Sequence, residues 1–268
     1  MSGTETIAAA FAAAKNERRA ALMPYLMGGF PDLETSRRIG LAYAERGADL
    51  IELGMPFSDP LADGPVIHNA GSQALAAGAN LHAVLEVGRS LAAQVPVVLM
   101  CYSNVILARG LERFADELVQ AGASGLIVPD LPLEEAPAAL EACDARGLAL
   151  VPLVAPTTPD ERLRRIGERA RGFLYTVSVT GTTGERAELD GGLAAVVARA
   201  AASTQVPVAV GFGIGTAAQA AAAAAAGADG VIVGTRLVRA AGEADDPVAA
   251  AGALVGEFSE ALRNHPLG

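Results

Sequence analysis

The sequence predicts an α/β fold, a single (β/α)₈ barrel of the TIM type over residues 1–268 with one extra helix at its N-terminal end. Three observations carry this. A unit recurs in which a helical stretch passes through Gly-Ala or Val-Pro-Val into a short apolar run. Eight such runs can be counted, and no linker-like segment separates them. One of them, Leu50 to Gly54, contains an acid, Glu52, and a second acid, Asp63, follows eleven residues later. An open doubly wound sheet is the alternative. It needs no eightfold count and usually carries a Gly-rich loop after its first strand, which Gly28-Gly29-Phe30-Pro31 does not supply as G-x-G-x-x-G.

The elements follow in order. Ile7 to Ala14 is apolar, but it is short and lacks a preceding basic region, so it reads as a helix lying on the domain and not as a signal peptide. Strands are expected near 22–27, 49–54, 96–101, 125–129, 148–154, 173–178, 207–211 and 229–233. The entries Gly47-Ala48-Asp49, Gly122-Ala123-Ser124 and Gly227-Ala228-Asp229 place a helix-ending glycine before a strand buried on both faces. Val95-Pro96-Val97 and Val206-Pro207-Val208 are variants of the same entry. Leu111, Phe114, Ala115 and Leu118 keep helical spacing. Thr158-Pro159-Asp160-Glu161 reads as an N-cap with Pro at the first helical position and a capping-box Glu, and Thr216 with Gln219 as a similar start. Asp246-Pro247 opens a last helix whose apolar face holds Val255, Phe258 and Leu262.

Composition narrows the function classes. Half of the 268 residues are hydrophobic and 19% are charged, enough to bury a large core. The net charge of −10, with no Lys/Arg block, argues against a nucleic-acid or anionic-membrane partner. No stretch approaches the roughly 18 uninterrupted apolar residues of a membrane span. Cys101 and Cys143 suggest free buried thiols in a reducing, cytoplasmic setting. His68, His82 and His265 show no metal spacing and read as solvated helix positions.

The chemistry starts at Glu52. Alternate strand residues face a barrel's interior, so Glu52 shares a face with Leu50 and Gly54 while Ile51 and Leu53 face the helices. It also lies near the C-terminal end of its strand, where barrel active sites are built. Burying a charge is expensive, so the acid is either locked in a structural ion pair or used for proton transfer. Asp63 lies in the following loop on the same rim, where Asp63-Gly64-Pro65 would also serve as a turn or cap. Asp59-Pro60 reads as a turn, and Asp130 faces the mouth or caps a helix. Three Gly-rich segments follow strands six, seven and eight: Thr180 to Gly184, Gly211 to Gly215, and Gly234-Thr235-Arg236. Backbone N–H groups there, with the positive end of a short helix starting at Thr235, suit a phosphate. Ordinary turn glycines are the competing reading. Walker A and Rossmann spacings are absent, so a nucleotide is not implied.

With those residues placed, the chain resembles the tryptophan synthase α subunit family over essentially its whole length. The thirteen residues Glu52-Leu53-Gly54-Met55-Pro56-Phe57-Ser58-Asp59-Pro60-Leu61-Ala62-Asp63-Gly64 look like that family's signature. Met100-Cys101-Tyr102-Ser103-Asn104, Val128-Pro129-Asp130-Leu131-Pro132, Ser178 to Gly184 and Gly211-Phe212-Gly213-Ile214 support it. The resemblance implies a carbon–carbon lyase that cleaves indole-3-glycerol phosphate to indole and glyceraldehyde 3-phosphate by a retro-aldol reaction. It implies no cofactor in this subunit. It also implies docking on a pyridoxal-phosphate β subunit in an α₂β₂ assembly that receives the indole. Docking would involve the loop around Asp59-Pro60, the Asn104 region and the segment near Pro132.

Residue by residue, the resemblance implies Glu52 as the main acid/base, Asp63 as the partner of the indole N–H, and Tyr175 as the tyrosine beside the glutamate. Thr183 matches a lid threonine that contacts the aspartate. Gly184, Gly213, Gly234 and Thr235 match phosphate binders, with Thr in place of the usual Ser at the last. Tyr25, Met100, Ile127 and Phe212 match the apolar indole pocket. Phe30 stands where some relatives carry a polar residue. Burial is expected to raise the pKa of Glu52, while the more solvated Asp63 stays charged. The rival readings are a stand-alone lyase of the same chemistry, a catalytically silent barrel that binds phosphate metabolites, and a phosphosugar isomerase, which would not need an aryl pocket.

Overall fold

The computed structural model describes residues 1–177, 192–211 and 213–265. Among the described residues nine strands form one all-parallel sheet: β1 (Ala21–Met27), β2 (Ile51–Gly54), β3 (Val97–Met100), β4 (Gly125–Ile127), β5 (Ala149–Val151), β6 (Leu153–Val154), β7 (Leu174–Val177), β8 (Val208–Gly211) and β9 (Gly230–Val233). Their spatial order is β5-β4-β3-β2-β1-β9-β8-β7-β6. The two end strands are successive pieces of one stretch, split at Pro152. Proline has no N–H to give a ladder, and its carbonyl accepts from the Tyr175 amide at 3.0 Å. The sheet therefore curls into a nearly closed barrel, and β5 with β6 is the single fifth strand of the eight expected.

The Gly-Ala entries show why the pattern repeats. Gly47 and Gly227 end helices Leu33–Glu45 and Ala217–Ala225 at φ of +100° and +96°, a conformation that disfavours a side chain. The acid two residues on then caps a neighbouring strand. Asp49 accepts from the Leu22 amide at 2.8 Å, and Asp229 from the Val208 amide at 2.9 Å. Arg19 is buried beside Asp49, with N–O distances of 2.6 and 2.9 Å.

Helices surround the sheet and bury its outer face, where Ile51 and Leu53 lie. Leu50, Met23, Val98, Ile127, Ala149, Val151, Phe173, Ala209 and Ile232 fill the inner face. The N-terminal helix Gly3–Asn16 begins at a Ser2/Glu5 capping box and packs Ile7, Phe11 and Ala14 into that inner cluster, closing the N-terminal end of the barrel. It is thus a plug, a closer role than the expected helix lying on the domain. The Thr216/Gln219 capping box and the Asp246 cap of helix Pro247–Asn264 are as expected, and Val255, Phe258 and Leu262 are buried. Thr158 departs from expectation. Its hydroxyl accepts from the Ala155 amide at 2.9 Å, closing a turn, and helix Asp160–Gly167 starts at Pro159 with no side-chain cap.

Candidate active site

The expected face of β2 is the observed one. Glu52 pairs in register with Tyr25 on β1 and Val98 on β3 and points into the barrel, 1% exposed. Its Oε2 has no hydrogen-bond partner among the described residues. Among the described residues no cation pairs with it, which argues against the ion-pair reading. Burial, aided by the charge of Asp63, raises its pKa to about 8. A carboxyl in this state holds its proton at neutral pH and can give it up to a substrate.

Asp63 is half-buried on the loop that leaves β2. Burial moves its pKa upward too, against the pull of the Tyr102 hydroxyl and the positive side of His68. It is more exposed than Glu52, as expected, yet it is not in an ordinary aqueous setting. It does not cap the helix Pro65–Ala76, which starts at Gly64 without a side-chain bond. Its partner is Tyr102, whose hydroxyl donates to Oδ1 at 3.0 Å. Tyr102 stood inside a quoted motif without a role, because a bond across 39 residues leaves no local signal.

Tyr25 and Tyr175 flank Glu52 from β1 and β7. Burial first, and then nearby acid charge, keeps both phenols well above their usual range. Two glycines make room for them. A Cβ on Gly54 would lie 2.0 Å from the Tyr25 oxygen, and one on Gly211 would lie 2.5 Å from the Tyr175 oxygen. Met100, Ile67, Pro129, Leu153, Ile214 and Ile232 complete apolar walls around the two acids. Ile127 is fully buried in the barrel interior, paired in register with Met100, and Pro129, two residues on, reaches the cavity.

Gly213, Gly234 and Thr235 reach the same cavity. Thr235 opens helix Thr235–Glu243, which starts at Gly234. The amides of Leu237 and Val238 bond back to the Gly234 carbonyl, leaving the helix start turned toward the mouth. Gly215 makes no anion contact of this kind, since its amide donates to Gln219 at 2.8 Å. Thr183, Gly184 and Phe212 lie outside the described residues. A larger groove, about 590 Å³, lies between helices Ala136–Asp144 and Asp160–Gly167 and reaches the mouth at Ala62, Pro129 and Leu153, but neither acid lines it. Among the described residues no group of side chains could hold a metal ion, and no helix is long and apolar enough to cross a membrane. Asp130 takes the capping role, accepting from the Ser103 amide and hydroxyl at 2.9 and 2.7 Å.

A parallel barrel that gathers a proton-holding carboxyl, a second acid and a helix start around one apolar mouth belongs to the barrel enzymes that work at their C-terminal rim. Comparison with known proteins narrows the class. The tryptophan synthase alpha chain family profile matches residues 11–263. The alpha chain of Prochlorococcus marinus (strain MIT 9313) is 49% identical over 261 residues, covering 97% of this chain and 94% of that one. That of Synechococcus elongatus (strain ATCC 33912 / PCC 7942 / FACHB-805) is 46% identical, covering 96% and 97%. Among solved structures, Mycobacterium tuberculosis tryptophan synthase superposes with a TM-score of 0.90 at 38% identity, covering 96% of this chain and 98% of that one. The Legionella pneumophila alpha subunit superposes at 0.89 and 38%, covering 98% and 99%. The chain belongs to the tryptophan synthase alpha chain family, and its role is that of a lyase.

Proposed function

We propose that this chain cleaves indole-3-glycerol phosphate to indole and glyceraldehyde 3-phosphate. The observation that carries the reading is Glu52, a buried acid with a pKa near 8 whose Oε2 has no partner among the described residues, facing Asp63 across an apolar cavity. Breaking the bond between indole C3 and its side chain cannot leave carbanion character on C3. Glu52 gives its proton to C3, which makes an indolenine with positive charge at N1. Asp63, as carboxylate, stabilises that N1–H. Glu52, now ionised, takes the proton of the side-chain hydroxyl. The C–C bond breaks, its electrons restore the indole ring, and the hydroxyl carbon becomes the aldehyde. Glu52 ends the cycle protonated, as it began.

Met100, Leu153 and Ile232 suit an aryl ring better than an open-chain sugar, which disfavours an isomerase. Gly213, Gly234 and the start of helix Thr235–Glu243 receive the phosphate, and Tyr175 orders the pocket beside Glu52. Thr183, Gly184 and Phe212 keep the roles their resemblance implies. The reaction asks no cofactor of this chain. The released indole passes to a pyridoxal-phosphate β subunit in an α₂β₂ assembly. Leu61 and Leu107, 79% and 65% exposed beside the Asp59-Pro60 and Asn104 segments, give that docking face its apolar character. Two buried free thiols suit a reducing cytoplasm. The test is indole release from indole-3-glycerol phosphate, with and without a β subunit. Release that the β subunit accelerates is expected. No indole in either case overturns the proposal.

A further inference from the structure

Asp63 is carried off the barrel by the loop that follows β2, and Tyr102, just past β3, ties that loop down at three points. The Tyr102 hydroxyl accepts from the Ala62 amide and donates to Asp63 Oδ1, both at 3.0 Å. Its ring stacks on Phe57 of the same loop, with centroids 5.3 Å apart and planes at 27°. The direction of the two bonds is not free. A backbone amide can only donate, so the phenol oxygen accepts there, and its single proton is left for the carboxylate.

Tyr102 is itself held from both sides. The preceding Cys101 amide donates to the Ile127 carbonyl at 2.9 Å. The following Ser103 gives both its amide and its hydroxyl to Asp130. A chain of bonds thus runs from the β4 loop, through the end of β3, to the acid at the mouth.

Resting on the function above, we propose that Tyr102 is a positioning residue that fixes Asp63 as an ionised acceptor facing the indole N–H, with Asp130 anchoring Tyr102 through Ser103. A hydrogen bond donated to a carboxylate favours its charged form, which is the form the N1 charge requires. Among the described residues, the other titratable groups around Asp63 are Glu52 on β2, Tyr25 on β1 and His68 on helix Pro65–Ala76. Glu52 opposes ionisation when charged, and His68 is exposed, so its charge is screened. Tyr102 is the directed contact.

Tyr102→Phe keeps the ring and its stack on Phe57 and removes the hydroxyl alone. In the full chain, a carbon-13 NMR titration of the carboxyls should show the Asp63 midpoint moving to higher pH. With the β subunit present, kcat for indole release should fall about tenfold, the scale of a hydrogen bond to a charged group. KM should stay within about twofold, because the ring walls and phosphate rim are untouched. An unmoved Asp63 midpoint, an unchanged kcat, or a loss carried by KM overturns the proposal. If the parent chain releases no indole, the function fails instead, and the NMR titration still decides whether Tyr102 controls Asp63.

Discussion

Asp49 lies two residues before β2 and Glu52 within it, and the two solve the problem of a buried acid in opposite ways. Asp49, at the plugged end, is met by the Arg19 guanidinium and the Leu22 amide. Glu52, at the open end, has an oxygen with no partner among the described residues and keeps its proton instead. An acid whose lone pairs are filled holds structure together. One left unfilled costs stability and is available to a substrate. One four-residue stretch therefore carries a structural acid and a reactive one, and the difference is what surrounds each carboxyl.

That contrast can be broken by substitution. The largest effect is expected from Glu52→Gln, which should keep its circular dichroism spectrum but lose roughly 10²–10⁴-fold or more in turnover, the scale of acid–base catalysis. Near-normal turnover would erase the distinction between the two acids. Next comes pH. The folded pKa of Glu52, about 8, lies above the ordinary 4.5, so the folded state binds its proton more tightly. Its contribution to stability is complete below about pH 4.5 and is lost as pH rises toward 8, by up to roughly 1.4 kcal/mol per pH unit. Denaturant melts across that window should show the slope in the parent chain and a shallower one in Glu52→Gln. Turnover should share an alkaline limb near pH 8, where the C3 proton donor is lost.

Asp49→Ala probes the other acid. It takes the two-point partner from the buried Arg19, leaving it Glu17 at 2.8 Å and the Ala20 carbonyl, and should cost about 3 kcal/mol in urea unfolding. Turnover per folded molecule should hold, and a fall in kcat matching that of Glu52→Gln would mean the two ends are not separate. The smallest effect sharpens the rule about unfilled groups. The Thr176 hydroxyl is also buried without a partner among the described residues, but Thr176 lies on β7 next to the inward-facing Tyr175, so it points to the helix side. Thr176→Val should raise stability by about 1 kcal/mol in a thermal or urea melt without changing turnover. A loss of activity there would show that an unpartnered group matters beyond the mouth.

Much of this was legible in the chain. The eight strands could be counted because each is a short apolar run entered through a turn residue, a local signal. Glu52 could be singled out because period-two alternation assigns its face, and Gly234-Thr235 because a glycine at a helix start leaves backbone amides open to an anion. Other features were hidden for stated reasons. Thr158 fits a capping pattern, but a turn with Ala155 claims its hydroxyl first. Pro129 lines the cavity two residues beyond Ile127, a placement that period-two parity allows but does not select. Ile7 and Phe11 look like any amphipathic helix until the open barrel end they fill is present.

The sequence by itself determined the alternation of strand and helix, the inward direction of Glu52 and the glycines that open the rim, because periodicity and backbone preference act over a few residues. Tertiary structure alone decided that Glu52 Oε2 would have no partner among the described residues, that Asp49 would find Arg19, and that Asp63 would be held by a tyrosine just past the next strand. Each of those outcomes depends on which distant groups the closed barrel brings within about 3 Å, the reach of a hydrogen bond.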